Sequence, residues 1–225
     1  MVQGYMKKDN VIILIKERSD TMGWQKEIKY FQYYGAEIKE HIDTMARFRL
    51  EQFKEYPYLY VGDYGQEQVH LGSYANYRES SLILAAENDK VVAISTSLPL
   101  KYEEEVLSCC AEELERMGMD ATKGYYFGET IILPEYRSQG IGSTIVNMQE
   151  EYARTLGCTF VCFIAVQREP DHPLRPKDYV EAAIIFERLG FKKTESSISF
   201  SWPTIQADGA VREQGNLLDF WIKRL

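Results

Sequence analysis

Short apolar runs bounded by turn residues alternate along this chain with stretches in which apolar positions recur every three or four residues, so the pattern predicts strands interspersed with amphipathic helices. Residues 11–16 predict a first strand. Ile38, Ile42, Met45, Ala46 and Phe53 recur at helical spacing with charges between them, which predicts a helix running up to Pro57. A tyrosine-rich loop, residues 56–64, is expected next. Residues 81–86 and 90–95 read as strands joined through Asn88-Asp89, the turn chemistry of a hairpin, and residues 102–117 as a helix. Residues 125–133 then predict a strand in which Gly128 marks a bulge or a close ligand approach.

Ile141, Ile145, Met148, Tyr152 and Leu156 form the apolar stripe of a further helix, with Gly157 placed as its C-terminal cap. Residues 159–166 read as a buried strand. Strand, glycine-opened helix and strand make a βαβ unit, so these two strands should lie parallel. Asp178 and Glu181 fit a capping box for a helix ending at Gly190, and residues 196–202 and 217–222 supply closing strands. No internal repeat or low-complexity tract interrupts the order, which reads as a single domain over 1–225 with an N-terminal elaboration.

Composition narrows the class. At 45% hydrophobic residues the chain can build a buried core, and its net charge of −8 opposes nucleic acid and anionic membranes while suiting cationic or amine-bearing partners. No apolar run is long enough to span a bilayer. Residues 11–15 are followed at once by Lys16-Glu17-Arg18, unlike a signal peptide, and the four cysteines lack Cys-x-x-Cys spacing; reduced thiols, a cytoplasmic setting and no metal site are expected.

Chemistry concentrates between residues 131 and 143. There the predicted strand ends at Pro134 and the chain re-enters a helix through Gly140 and Gly142. The first turn of a helix leaves backbone N–H groups without partners and carries partial positive charge, so Ser138, Gln139, Gly140, Ile141, Gly142 and Ser143 form a cradle suited to a pyrophosphate. The segment lacks the third small residue of a dinucleotide fingerprint, and no Gly-Lys-Ser/Thr triplet occurs. Arg137, just before the helix, suits phosphate contact or bracing of the loop.

With Arg137-x-x-Gly140-x-Gly142 after one strand and Ile185-Phe186-Glu187-Arg188-Leu189-Gly190-Phe191 after the next, the chain resembles the GNAT superfamily of acyl-CoA-dependent N-acyltransferases over residues 81–191. Glu55-Tyr56-Pro57-Tyr58-Leu59-Tyr60 and residues 168–176 resemble an uncharacterised bacterial branch of it. The resemblance implies an α/β (α+β) fold: a mixed, mostly antiparallel twisted sheet, flanked by helices, with a splayed central parallel strand pair. It also implies acetyl-CoA as acyl donor, with pyrophosphate on residues 138–143 and the pantetheine arm along Thr130, Ile131 and Ile132. The expected activity is acetyl or short-acyl transfer to a primary amine of a small molecule or peptide by direct attack, with the acceptor and oligomeric state left open.

An ammonium has a reference pKa of about 10.4, so an amine must lose a proton before it attacks a thioester. Glu129, beside the expected reaction centre, fits that role directly or through water; it also reads as an outward strand carboxylate or a buried ion-pair partner. The superfamily often carries an asparagine and, seven residues on, a tyrosine that protonates the departing thiolate. Tyr179 and Phe186 hold those positions here, and Phe186 has no proton to give. Two helical turns would put Tyr179 on the same face, making it the replacement acid or a packing residue. His172 reads as a functional loop histidine or one bonded to nearby backbone. Tyr56, Tyr58, Tyr60, Asp63 and Tyr64 fit an aromatic, acidic amine pocket or a cover for the sheet, and Cys162 fits buried packing better than a nucleophile. The loss of the usual acid keeps open a non-catalytic acyl-CoA sensor or interaction module, and the cradle alone keeps open a phosphorylated metabolite.

Overall fold

A computed structural model describes residues 27–225, together with the backbone of Lys7–Lys8 and Val11–Ile12. Its strands are β1 (Lys7–Lys8), β2 (Val11–Ile12), β3 (Ile28–Tyr34), β4 (Ser81–Glu87), β5 (Lys90–Pro99), β6 (Gly124–Ile132), β7 (Phe160–Val166), β8 (Lys192–Ile205) and β9 (Val211–Arg224). The α-helices are α1 (Ile42–Gln52), α2 (Tyr64–Tyr74), α3 (Glu104–Arg116), α4 (Ile141–Thr155) and α5 (Ala182–Arg188). Among the described residues the strands form one sheet in the order β1-β2-β3-β4-β5-β6-β7-β9-β8. Every pairing is antiparallel except β6 with β7. That is the mixed, mostly antiparallel sheet expected, with one parallel pair at its centre.

Two buried layers sandwich the sheet. Helices α1, α2 and α3 cover one face through Met45, Leu71, Cys110 and Leu114, which meet Tyr126 and Cys162 from the central strands. On the other face α4 buries Ile141, Ile145 and Met148, each less than 5% exposed. Each such side chain taken fully out of water contributes about 1.5–3 kcal/mol, so this stripe fixes where α4 begins relative to β6. The stripe ends before its predicted last member: Leu156 is the C-cap and 36% exposed, while Gly157 turns the chain at φ 73°.

The hairpin matches its prediction, since Glu87 pairs with Lys90 across Asn88-Asp89 and Asn88 takes φ 54°. Elsewhere the structure corrects the pattern. The first predicted helix divides into a 3-10 segment, Gly35–His41, and α1. Of the predicted first strand, only Val11–Ile12 lies within the described residues. The tyrosine-rich stretch ends in a helix that periodicity does not reveal, α2, because its glycines Gly65 and Gly72 weaken the propensity and only Glu67, Leu71 and Tyr74 are buried. Asp63 starts it by accepting a hydrogen bond from Gln66 N at 3.0 Å.

The expected Asp178/Glu181 capping box does not form. Glu181 is itself the N-cap of α5, with no side-chain cap bond, and its carboxylate pairs with Arg175 instead. Tyr179 therefore precedes the helix and does not share a helical face with Phe186. The closing strands extend beyond their predicted limits on both sides, and β8 carries Pro203 at the edge of the sheet, where a missing N–H is tolerated.

Candidate active site

The turn from β6 into α4 has the shape its sequence requires. Ser138 and Gly140 both take positive φ, 60° and 84°, and Gly140 is the N-cap of the 15-residue α4. Among the described residues nothing accepts a hydrogen bond from the backbone N–H of Gln139, Gly140, Ile141, Gly142 or Ser143. Gly142 is not required by packing: a Cβ there would meet only Ile132 Cδ1, at 3.4 Å. Arg137 braces this loop, with Nε donating to Ile132 O at 3.1 Å and Nη2 to Glu55 at 3.2 Å, and Gln139 Nε2 donates to Glu135 O at 2.7 Å.

Below the cradle the parallel pair opens. β6 and β7 are in register only at Gly124–Phe160, Tyr125–Val161 and Tyr126–Cys162. Beyond Tyr126, β6 stays bonded to β5 as far as Ile132, and beyond Cys162, β7 stays bonded to β9 as far as Val166. The edges that face each other across this gap have no strand partner. Thr130 is exposed here and hydrogen bonded through Oγ1 to Ser95 at 2.8 Å, while Ile131 is buried. A row of unbonded amides above an open strand edge is the donor set a pyrophosphate and an amide-bearing pantetheine require, so the residues present fit coenzyme A.

On the α1–α2 face of the same stretch lies a charged cluster. The β5–β6 register slips at Thr96, which opposes Gly128 and Glu129 together, so the bulge expected at Gly128 is present. A side chain at Gly128 would collide with the Tyr74 hydroxyl, which is the close neighbour there. The bulge turns Glu129 inward. Its carboxylate, 5% exposed, pairs with Arg49 from α1 and accepts hydrogen bonds from Thr96 Oγ1 at 2.5 Å and Tyr74 OH at 3.3 Å. Arg49 also pairs with buried Glu67 of α2, which accepts from Tyr60 OH at 2.5 Å. Burial alone would raise the Glu129 pKa, but the Arg49 guanidinium, His70 and the Thr96 hydrogen bond together outweigh it and hold the carboxyl below the usual range. His70 places Nε2 4.0 Å from Glu129 and is held below its ordinary pKa by desolvation and the Arg49 charge, against the pull of Glu129 and Glu67.

Tyr179 packs edge-on against Tyr56, centroids 4.6 Å apart, and Arg175 lies 5.2 Å over its ring. Burial, with Glu181 and Tyr56 adding negative charge, pushes its hydroxyl up to about 12. Phe186 is packing, 4.4 Å from Phe163 and 5.5 Å from Trp221. His172 is bonded to nearby backbone, its Nδ1 accepting from Leu174 N at 3.2 Å. Cys162 is fully buried and its thiol is driven well above its ordinary pKa by burial.

The aromatic segment forms a strap. Tyr60 bridges to Thr204 of β8, Val61 N donates to Pro203 O at 2.9 Å, and Ile205 N donates to Leu59 O at 2.8 Å. Arg168 pins it, donating to Pro57 O at 2.7 Å, Tyr58 O at 3.0 Å and Asn216 Oδ1 at 2.7 Å. Tyr58 stacks on Phe53 at 4.2 Å. Sequence reasoning missed Arg49 and Glu67. Arg49 did carry a signal, since it stands four residues after Met45 and three after Ala46, on the buried stripe of α1 where an arginine needs a partner. Among the described residues no three His, Cys, Asp or Glu side chains are grouped to hold a metal, and no helix is long and apolar enough to cross a membrane.

The chain is similar in fold to ribosomal-protein-alanine N-acetyltransferase from Brucella melitensis, at 13% identity and TM-score 0.54, over 87% of this chain and 99% of that one. It is likewise similar to yncA of Salmonella typhimurium, solved with its cofactor acetyl-CoA, at 10% identity and TM-score 0.51, over 87% and 94%. A polyamine N-acetyltransferase of Drosophila melanogaster aligns at 13% identity and TM-score 0.52, over 86% and 100%. No curated protein matches the sequence. The family model described as acetyltransferase (GNAT) matches residues 42–176, a span that includes the Arg49–Glu129 cluster, the open strand pair and the whole cradle. The chain therefore belongs to the GNAT family of acetyl-CoA-dependent acetyltransferases.

Proposed function

We propose that this protein, acting as one domain, transfers an acetyl or short acyl group from coenzyme A to the primary amine of a small molecule or peptide by direct attack. The observation that carries this reading is the parting of β6 from β7 after Tyr126–Cys162, directly beneath the unbonded amides at the head of α4. In it, Ser138, Gln139, Gly140, Ile141, Gly142 and Ser143 receive the diphosphate, Arg137 braces their loop, and the β6 edge at Thr130, Ile131 and Ile132 receives the pantetheine amides. The bound thioester supplies the acyl group and the leaving sulfur.

Glu129 contributes a fixed negative charge at this centre. A carboxylate held ionised by Arg49 attracts an ammonium, and its depressed pKa makes it a weaker base than an ordinary glutamate. Tyr179, whose hydroxyl is protonated throughout the neutral range, serves as proton donor to the departing thiolate. The four cysteines are free, in keeping with a reducing, cytoplasmic setting. Incubation with acetyl-CoA and a panel of small and peptide amines, with released coenzyme A trapped through its thiol, tests the activity. Turnover with at least one amine is expected; tight acetyl-CoA binding without turnover for any amine would favour the sensor instead.

A further inference from the structure

Amine acetylation needs a base, and the carboxylate expected to supply it is fully engaged. Glu129 gives one oxygen to Arg49 and the other to Thr96 and Tyr74. A second glutamate nearby has neither restraint. Glu103 stands at the head of α3, where the chain leaves β5, whose last residue Pro99 is in register with Tyr125 on β6. Its carboxylate is partly buried, makes no cap bond, and meets no cation or hydrogen-bond donor among the described residues. The groups near enough to interact with it electrostatically are Glu129 and Tyr126 on β6, Tyr74 on α2, Cys162 on β7 and Glu105 on α3. Tyr126 and Cys162 are the last pair in register before the strands part. Arg49 is spent on Glu129 and Glu67.

We infer that Glu103 is the proton acceptor for the incoming amine, sitting below the fork of β6 and β7 on the side of the sheet covered by α1, α2 and α3. The inference rests on amine acetylation as the activity. An ammonium gives up two protons on becoming an amide: Glu103 takes one and releases it to solvent, freeing the nitrogen lone pair. The N–C bond then forms, the C–S bond breaks with its electrons leaving on sulfur, Tyr179 protonates that sulfur, and the second proton of the amine restores the Tyr179 hydroxyl. Burial, with repulsion from Glu129 and Glu105, pushes the Glu103 carboxyl up to about 7, where a carboxylate is a competent base at neutral pH. The two glutamates thus divide the work, one fixed and charged, the other free to titrate.

The test compares wild type, Glu103→Gln and Glu105→Gln. In wild type kcat/KM for the amine rises with pH through an acidic limb near 7. Glu103→Gln lowers the plateau by about 100-fold and removes that limb, while acetyl-CoA affinity is unchanged. Glu105→Gln keeps the plateau and moves the limb to lower pH, because one repelling charge is gone. Carbon-13 NMR of protein labelled at glutamate Cδ provides a readout independent of turnover: one carboxyl titrates near 7 in wild type and is missing in Glu103→Gln. A limb and plateau retained in Glu103→Gln, or no such carboxyl resonance in wild type, would overturn the assignment. Failure of wild type to acetylate any amine would instead defeat the proposed activity.

Discussion

Replacing Arg49 with alanine strands two buried carboxylates. Their side chains are 5% and 3% exposed at Glu129 and Glu67, and the guanidinium between them is 16% exposed, so solvent does little to compensate either. Removing one partner of a buried ion pair costs about 3–5 kcal/mol. At roughly 2–4 °C per kcal/mol for a domain of this size, Arg49→Ala should melt about 6–20 °C below wild type near pH 7. The sign of the pH dependence follows from the pKa of Glu129. In wild type its folded value lies below the unfolded one, so its stabilisation is present above about pH 4.3 and lost as pH falls through the folded value. In the variant, burial without the guanidinium raises the folded value, and the penalty is present at neutral pH but shrinks as the carboxyl protonates. Thermal unfolding followed by circular dichroism should therefore show the gap between the two proteins narrowing from about pH 7 to about pH 5. A melting difference under about 2 °C at neutral pH, or one independent of pH, would refute the reading of Arg49 as the ion that holds this cluster.

Two further substitutions test the site from other directions. Gly142→Glu places bulk and negative charge where the diphosphate should rest and should abolish acetyl-CoA binding by calorimetry, whereas Gly142→Ala, with room for its Cβ, should keep the fold; unchanged affinity in Gly142→Glu contradicts the cradle. Tyr179→Phe should lower kcat about 100-fold with KM for acetyl-CoA unchanged, and a kcat within about 2-fold of wild type removes its role as acid.

The central frame of the fold was legible because each part of it is written locally. The β4–β5 turn announces itself in Asn88-Asp89, the bulge in Gly128, and the cradle in Gly140 and Gly142. The charged cluster was not, because Arg49 and Glu129 meet across 80 positions and nothing near either residue names the other. Helix α2 was missed for a related reason: its start depends on an Asp63 cap and its stability on burying Glu67 against Arg49, a tertiary contact that outweighs weak propensity. At Tyr179 the Asp178/Glu181 spacing suggested a helix, but α5 begins only at Ala182, with Glu181 as its N-cap and the Glu181 carboxylate paired with Arg175. Glu103 escaped notice because its significance lies in what it lacks, a partner beside the open strand pair, and sequence does not show that.

A crystal structure of the protein grown with coenzyme A tests the account most directly. It should show diphosphate oxygens at hydrogen-bonding distance, about 2.7–3.2 Å, from the backbone nitrogens of residues 139–143, and the pantetheine chain lying between β6 beyond Tyr126 and β7 beyond Cys162. Coenzyme bound elsewhere, with that gap closed by side chains and those amides bonded to protein groups, would contradict it.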